Sequence, residues 1–564
     1  MKSSLSVFLI SFACTLLSVS ADYIREVTHL DFVDLSAPIA SDAVSLVEME
    51  MGYENEEVYQ SVQQGYGHLL SMWDVQGYRF FLEALKLEPD SVMANAGLVL
   101  CCLNNTNLVP QAQAALQHLD GLLEADKTPS LERSFGQAVW FLSQRDFVSW
   151  QQQLDAMTED ESAVGWELVA LLHAIFSRNG YTEFGEPKLE QREAEKFLRR
   201  YCAQNSESPS GLVLYANIQV DHPRPQAILD SEVLASARKL VRLYPDFAPY
   251  HRLLGYCYLR VGSAALAAQS YQQAVALYEN FLTMTGLPHR HCVERMECEI
   301  AAVTALSLAG NTAQALAVAA PLVQRAADPA LVGAKAWSLL QWEGVTLPLR
   351  VALWSDDAAL IQQEMTALQA YLDNTPEKQQ NASHMLCAAL LHYAEGCKRI
   401  EQEKLLEAPT DLQRLVFTAQ DMVLRHEELA LANTKRYFDR AQNCLRMLVM
   451  DLDARLLIAK GEVNAETSIS LLSKMESSYS KQLYYHGFTP PFWITPGYNQ
   501  LAQVHMGLEQ YDKALDYLET SYRLLPNALP TLVQLNKLLL LMERYDAAKI
   551  VEAQLDRVQE QKAQ

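Results

Sequence analysis

Within one ten-residue stretch, His289, His291, Cys292, Glu294 and Cys298 carry side chains of the kind that bind zinc. Zinc sites of this type use separated ligand pairs that a fold brings together, and no clear second pair stands elsewhere in the chain. His289 and His291 follow Pro288 on a loop, and Cys298 falls on the apolar side of the next helix. His289, His291 and Cys292 are thus weak metal candidates, and the missing pair favours a structural reading. His426-Glu427-Glu428 begins like a zinc-protease helix, but Ala430 stands where the second histidine is needed. No Walker loop, nucleophile elbow or Gly-x-Gly-x-x-Gly run occurs. The sequence is read as non-enzymatic, with no cofactor.

Recognition chemistry is better represented. Arg252, Tyr256 and Arg260 lie one turn apart on a helix face with Leu259 beside them, a set able to clamp a carboxylate or the acidic end of a peptide. The alternative is that the arginines pair with acidic side chains of neighbouring helices, and both readings stay open. Asn499, Gln503 and Met506 fall on the corresponding face of a later helix, suited to peptide amides and an adaptable apolar contact. Phe492 and Trp493 follow Pro490-Pro491 on a connector. They are either exposed anchors or a staple holding the connector to a helix, and the gain from aromatic burial favours the staple.

These residues need helices packed as antiparallel pairs. From Thr495 to Asn527, Tyr498, Leu501, Ala502, His505, Ala514, Leu518, Ser521 and Pro526 recur at the positions of a repeat of about 34 residues. Ala502 and Ala514 stand where two backbones approach closely, and Pro526 ends the second helix. The same frame places Gly65, His68, Gly77, Phe81, Ala84 and Pro89 in a unit starting at Val58. It also places His251, Leu254, Gly255, Tyr258, Ala267, Tyr271 and Ala274 in a unit from Ala248 to Phe281. A fourth unit, with alanine replacing most of the large residues, is traced from Cys298 through Gly310-Asn311 to Val318. The spacing elsewhere stays helical but degenerate, with helices expected at 110–125, 131–142, 164–177, 329–342, 356–372 and 377–398, and one long helix from 411 to 451 that breaks once. No strand-period segment stands out.

The three well-spaced units resemble tetratricopeptide repeat (TPR) proteins. Phe80 to Ser91, Tyr258 to Gly262, and Pro490-Pro491-Phe492-Trp493 are similar to runs in long exported bacterial TPR proteins of largely unknown function. Some of those are rich in histidine around the central repeat, whereas Pro209 to Tyr250 contains only His222. The resemblance implies an all-α, right-handed superhelical solenoid of antiparallel helix pairs that binds a peptide or protein. In TPR proteins the first helix of each pair lines the concave groove, which is where Arg252, Tyr256, Leu259, Arg260, Asn499, Gln503 and Met506 are expected.

The chain has 564 residues, a formal charge of −23 and ten cysteines. So acidic a surface repels phosphate backbones, and nucleic acid is not an expected partner. Lys2, the apolar run from Val7 to Leu17 and Val19-Ser20-Ala21 read as a cleavable export signal over residues 1–21, so the protein is expected to be periplasmic or secreted. Phe12 is bulky where lipidation at Cys14 needs a small residue, and no stretch is long enough to span a bilayer. The expected order is an acidic arm at 22–57, an N-terminal TPR-like solenoid at 58–285, an irregular helical region at 286–460, and C-terminal repeats with a capping helix at 461–564. Self-association through apolar central helices is a further possibility. Most cysteines lie in apolar helical stretches and read as small hydrophobes.

Overall fold

A computed structural model describes residues 22–44, 55–102, 108–125, 130–159, 163–176, 180–182, 185–204, 207–220, 222, 227–228, 232–328, 341–355, 357–376, 381–424, 435–460, 469–470, 473, 492 and 497–563. Among these residues the chain is helical and has no strand, with one isolated bridge between Tyr181 and Pro187. No described helix is long and apolar enough to cross a membrane. The expected signal peptide lies outside the described residues. Contacts divide the chain into two compact units.

The first unit holds residues 1–177, 189–218 and 279–292. Its helices are α1 (Glu56–Leu70), α2 (Asp74–Leu87), α3 (Val92–Cys102), α4 (Val109–Ala125), α5 (Leu131–Gln144), α6 (Phe147–Thr158), α7 (Ala163–Phe176), α8 (Leu189–Gln204) and α9 (Pro209–Gln219). α1 and α2 form the first repeat, and the frame explains their close approach. A Cβ on Gly65 would lie 2.6 Å from the Phe81 ring, and one on Gly77 would lie 2.9 Å from the Gly65 carbonyl oxygen. α3, apolar all round, is buried from Met93 to Cys102, as expected of a helix with neighbours on every side. The described part of the acidic arm is tied down rather than loose. Tyr23, Val27 and Phe32 are buried, the Tyr23 hydroxyl donates to Asn95 and the Tyr78 hydroxyl to the Val27 carbonyl.

The second unit holds residues 178–188, 219–278 and 293–564. It begins with α10 (Val233–Leu243) and α11 (Ala248–Arg260), then α12 (Ala264–Thr285), whose last turns belong to the first unit. After these come α13 (Val293–Leu308), α14 (Thr312–Ala326), α15 (Leu347–Ser355), α16 (Ala358–Asn374), α17 (Ala382–Glu401), α18 (Ala408–Leu424) and α19 (Lys435–Lys460). The C-terminal array is α20 (Gly497–Gly507), α21 (Tyr511–Leu524), α22 (Leu529–Leu541) and α23 (Tyr545–Ala563). Ala502, Ala514, Leu518, Leu532, Leu538 and Ala548 share its core. The expected helix at 329–342 lies almost wholly outside the described residues, and of the long one the structure describes α18 and α19, with 425–434 outside the described residues.

The C-terminal repeat does not end the second unit in isolation. Asn527, at φ 63°, donates through Nδ2 to the Gly262 carbonyl at 3.0 Å. Gly262 sits at φ 77°, and a Cβ there would come 2.5 Å from the Pro526 carbonyl oxygen. Only glycine meets both the left-handed turn and this close approach. The turn between α11 and α12 therefore rests on the loop after α21, 265 residues later.

Candidate functional site

The repeat geometry puts Arg252, Tyr256, Leu259 and Arg260 on one stretch of α11, and all four are buried. Arg252 pairs at 2.5 Å with Glu297 of α13, the first helix of the next pair. Burial acts against the Arg252 charge, but the Glu297 carboxylate outweighs it and raises the guanidinium pKa. Arg260 donates from Nη2 to the His222 carbonyl at 2.7 Å. The arginines are thus engaged within the chain, which corrects the expectation of a clamp open to a ligand. The physical reason is that buried charges persist only when paired, and α13 supplies acids opposite α11.

On α20 the three expected groove residues part company. Asn499 is fully buried, accepting at Oδ1 from the Ser521 hydroxyl of α21 and, at 3.2 Å, from Thr531 of α22. It ties three helices together and does not face a groove. Gln503 is exposed, and Met506 is half-buried against the C-terminal core.

Phe492 is fully buried, its ring 4.9 Å from that of Trp342 and 4.5 Å from the Arg350 guanidinium. It is therefore a staple and not an exposed anchor. Trp493 lies outside the described residues. Beneath Phe492 is an ionic core that no motif announced: Arg440 donates from Nε and Nη2 to Glu343 at 2.6 and 2.9 Å, and Arg350 donates to the Glu343 carbonyl at 2.6 Å. Burial pulls the Arg350 pKa down to about 10, against the Glu343 charge.

His289, His291 and Cys292 do not gather around one point. His289 is exposed, Cys292 is buried, and His291 turns to Asp31, with Nε2 2.6 Å from Oδ2. Arg290 reaches the same oxygen at 2.6 Å, and His29 stands beside the pair. Burial lowers the His291 pKa to about 4. Burial works to raise the Asp31 pKa, but hydrogen bonds from His291 and Arg290 prevail and hold it down to about 2. Sequence reading missed His29 and Asp31 because 260 residues separate Asp31 from His291.

One surface the sequence did not single out is open. Val416, Val423, Leu424, Leu445, Val449 and Met450, from α18 and α19, line an apolar groove of about 640 Å³, with exposed Arg446 on its wall. Val423 is 50% and Leu424 84% exposed. All the described cysteines but Cys202 are buried. Desolvation pushes the Cys397 thiol up to about 12, so it is not a poised nucleophile.

The tetratricopeptide repeat family model matches residues 495–527. A comparison with the curated proteins gives no match. Among solved structures, the APC/C hetero-tetramer Cut9–Hcn1 is similar at 11% identity and TM-score 0.32, covering 88% of this chain and 79% of that one. Naa15/Naa10 bound to HypK-THB is similar at 10% identity and TM-score 0.24, covering 90% of each chain. The P58(IPK) TPR domain is similar at 11% identity and TM-score 0.20, covering 87% of this chain and 99% of that one. With TM-scores this low the whole folds do not superpose, and nothing about this protein's partners follows from them. The α20–α21 hairpin, with Ala502 and Ala514 buried between its helices and Pro526 beyond its end, matches the tetratricopeptide repeat, and the described residues around it are helical.

Proposed function

We propose that the protein is an exported, non-enzymatic repeat scaffold that holds a peptide or protein segment, and that it works within a cell-envelope assembly. The repeat at 495–527 and the all-helical architecture support a protein-interaction scaffold. Export is supported by the pattern of residues 1–21. The observation that carries the binding reading is the groove between α18 and α19, where apolar side chains meet solvent beside a cationic one. Its dimensions and lining suit an amphipathic helical segment, with apolar residues on one face and an acidic residue placed against Arg446. Affinity then comes from a preformed apolar surface and a few anchors, with no chemical step.

The test is site-specific photo-crosslinking in the full chain, with the crosslinker at position 423 and, as control, at position 503. The adducts from the native exported fraction are identified by mass spectrometry. One partner protein attached at 423 and absent at 503 is the expected result. Adducts only with a second copy of this chain would replace partner binding by self-association, and adducts only at 503 would move the site to the exposed face of α20.

A further inference from the structure

Two groups of histidine and carboxylate side chains come together among the described residues, and they differ in how closely their ligand atoms already touch. In the first, His29, Asp31 and His291, the Asp31 oxygen already accepts from His291 and Arg290. The 2.6 Å between His291 Nε2 and Asp31 Oδ2 is a direct hydrogen bond. Two ligands of one tetrahedral zinc ion stand farther apart, about 3.3 Å for bonds of about 2.0 Å.

The second group is built differently. His392 and Glu395 lie one turn apart on α17, with Nδ1 and Oε2 separated by 3.6 Å. Asp411, in the first turn of α18, is fully buried and points its carboxylate between them, so that a ligand atom from each residue lies within 4.8 Å of the other two. Neither Asp411 oxygen accepts a hydrogen bond among the described residues, and His392 Nδ1 is likewise without one. Arg399 Nη1 stands 2.8 Å from Asp411 Oδ2 and Arg414 Nη1 4.0 Å from Oδ1, so the carboxylate is ion-paired although it accepts no hydrogen bond. The Arg399 guanidinium is shared with the Glu407 carbonyl at 3.4 Å, and its side chain is 29% exposed. Desolvating a carboxylate is costly, and a cation held between it, a second carboxylate and an imidazole offsets that cost more fully than a partly exposed arginine does.

We propose that His392, Glu395 and Asp411 form a binding site for a divalent transition-metal ion that fastens α17 to α18. One imidazole and two carboxylates suit zinc, and the imidazole selects against magnesium. Three protein ligands leave a fourth position to water, and Arg399 moves aside to Glu407 as the ion enters. The site stands apart from the α18–α19 groove and does not depend on the binding function proposed for it.

The experiment uses the full chain without a histidine tag, freed of metal by chelator and dialysed. Zinc is titrated with magnesium as control, and binding is followed by equilibrium dialysis and by the thermal midpoint. The expected result is one zinc ion per chain, no magnesium uptake and a raised midpoint. Cobalt substitution gives the visible absorption of a low-coordinate site. His392→Gln and Glu395→Gln, at half-exposed positions, lose both the zinc and the shift in midpoint while keeping their helical circular dichroism. His291→Gln keeps them. Asp411→Asn is the third ligand test, and the two glutamine variants decide the matter if it fails to fold. Absence of zinc uptake at micromolar concentrations, or uptake unchanged in His392→Gln, overturns the site and leaves a charge cluster only.

Discussion

α11 and α20 are first helices of well-spaced repeats, and the same three repeat positions meet different fates on them. At the first position both residues are buried: Arg252 bonds across to Glu297 of the following pair, and Asn499 bonds to Ser521 and Thr531. At the second, Tyr256 is buried and Gln503 exposed, and at the third Leu259 is buried and Met506 half-buried. The repeat frame fixes how a side chain leaves its own hairpin, while the next helices decide whether it reaches solvent. α13, opposite α11, is buried along nearly its whole length and carries Glu294, Glu297 and Glu299 inward. Among the described residues α20 has no such cover over Gln503.

The sharpest way to break this comparison is to invert the charge at the first position. Arg252→Glu places a carboxylate against Glu297 inside the second unit. Removing one partner of a buried ion pair costs about 3–5 kcal/mol, and adding a like charge costs more. Hydrogen exchange of the α11 and α13 amides should show that loss locally, with the amides of α22 and α23 less affected. Protection in α11 equal to that of the wild type would mean that Arg252 faces water after all. Asn499→Ala is the matching change in the other repeat, leaving the Ser521 and Thr531 hydroxyls to each other at 3.1 Å. Its expected cost is about 1–3 kcal/mol, the penalty for a buried polar group that loses its partner. Urea unfolding of the full chain checks it, and a cost below about 0.5 kcal/mol would make Asn499 a groove residue again.

How far the sequence could be read follows from the same distinction. The small residues Gly65, Gly77, Gly255, Ala502 and Ala514 announce close backbone approach within a hairpin, and the hairpins are there. α6 and α15 were not anticipated, since each is short and neither carries the repeat spacing. Pairings across long separations left no local trace. His291 with Asp31, Arg440 with Glu343 and Asn527 with Gly262 join residues 260, 97 and 265 positions apart. His392 and Glu395 look like an ordinary polar stripe on α17 until Asp411 is seen against them, because a three-ligand set split between two helices has no fixed spacing.

The smallest effect belongs to Gln503→Glu. The side chain is exposed at a position where Tyr256 is enclosed, so exchanging amide for carboxylate removes no contact that holds α20 to its neighbours. A change of that kind stays within about 0.5 kcal/mol of the parent. Thermal unfolding of this variant beside Tyr256→Ala makes the contrast direct, because the latter removes a large buried side chain from α11. If the two variants lost comparable stability, Gln503 would have to be covered, and α20 would be as enclosed as α11. If only Tyr256→Ala is damaging, the C-terminal repeat keeps an open face, and the frame that buries α11 leaves α20 available to a partner.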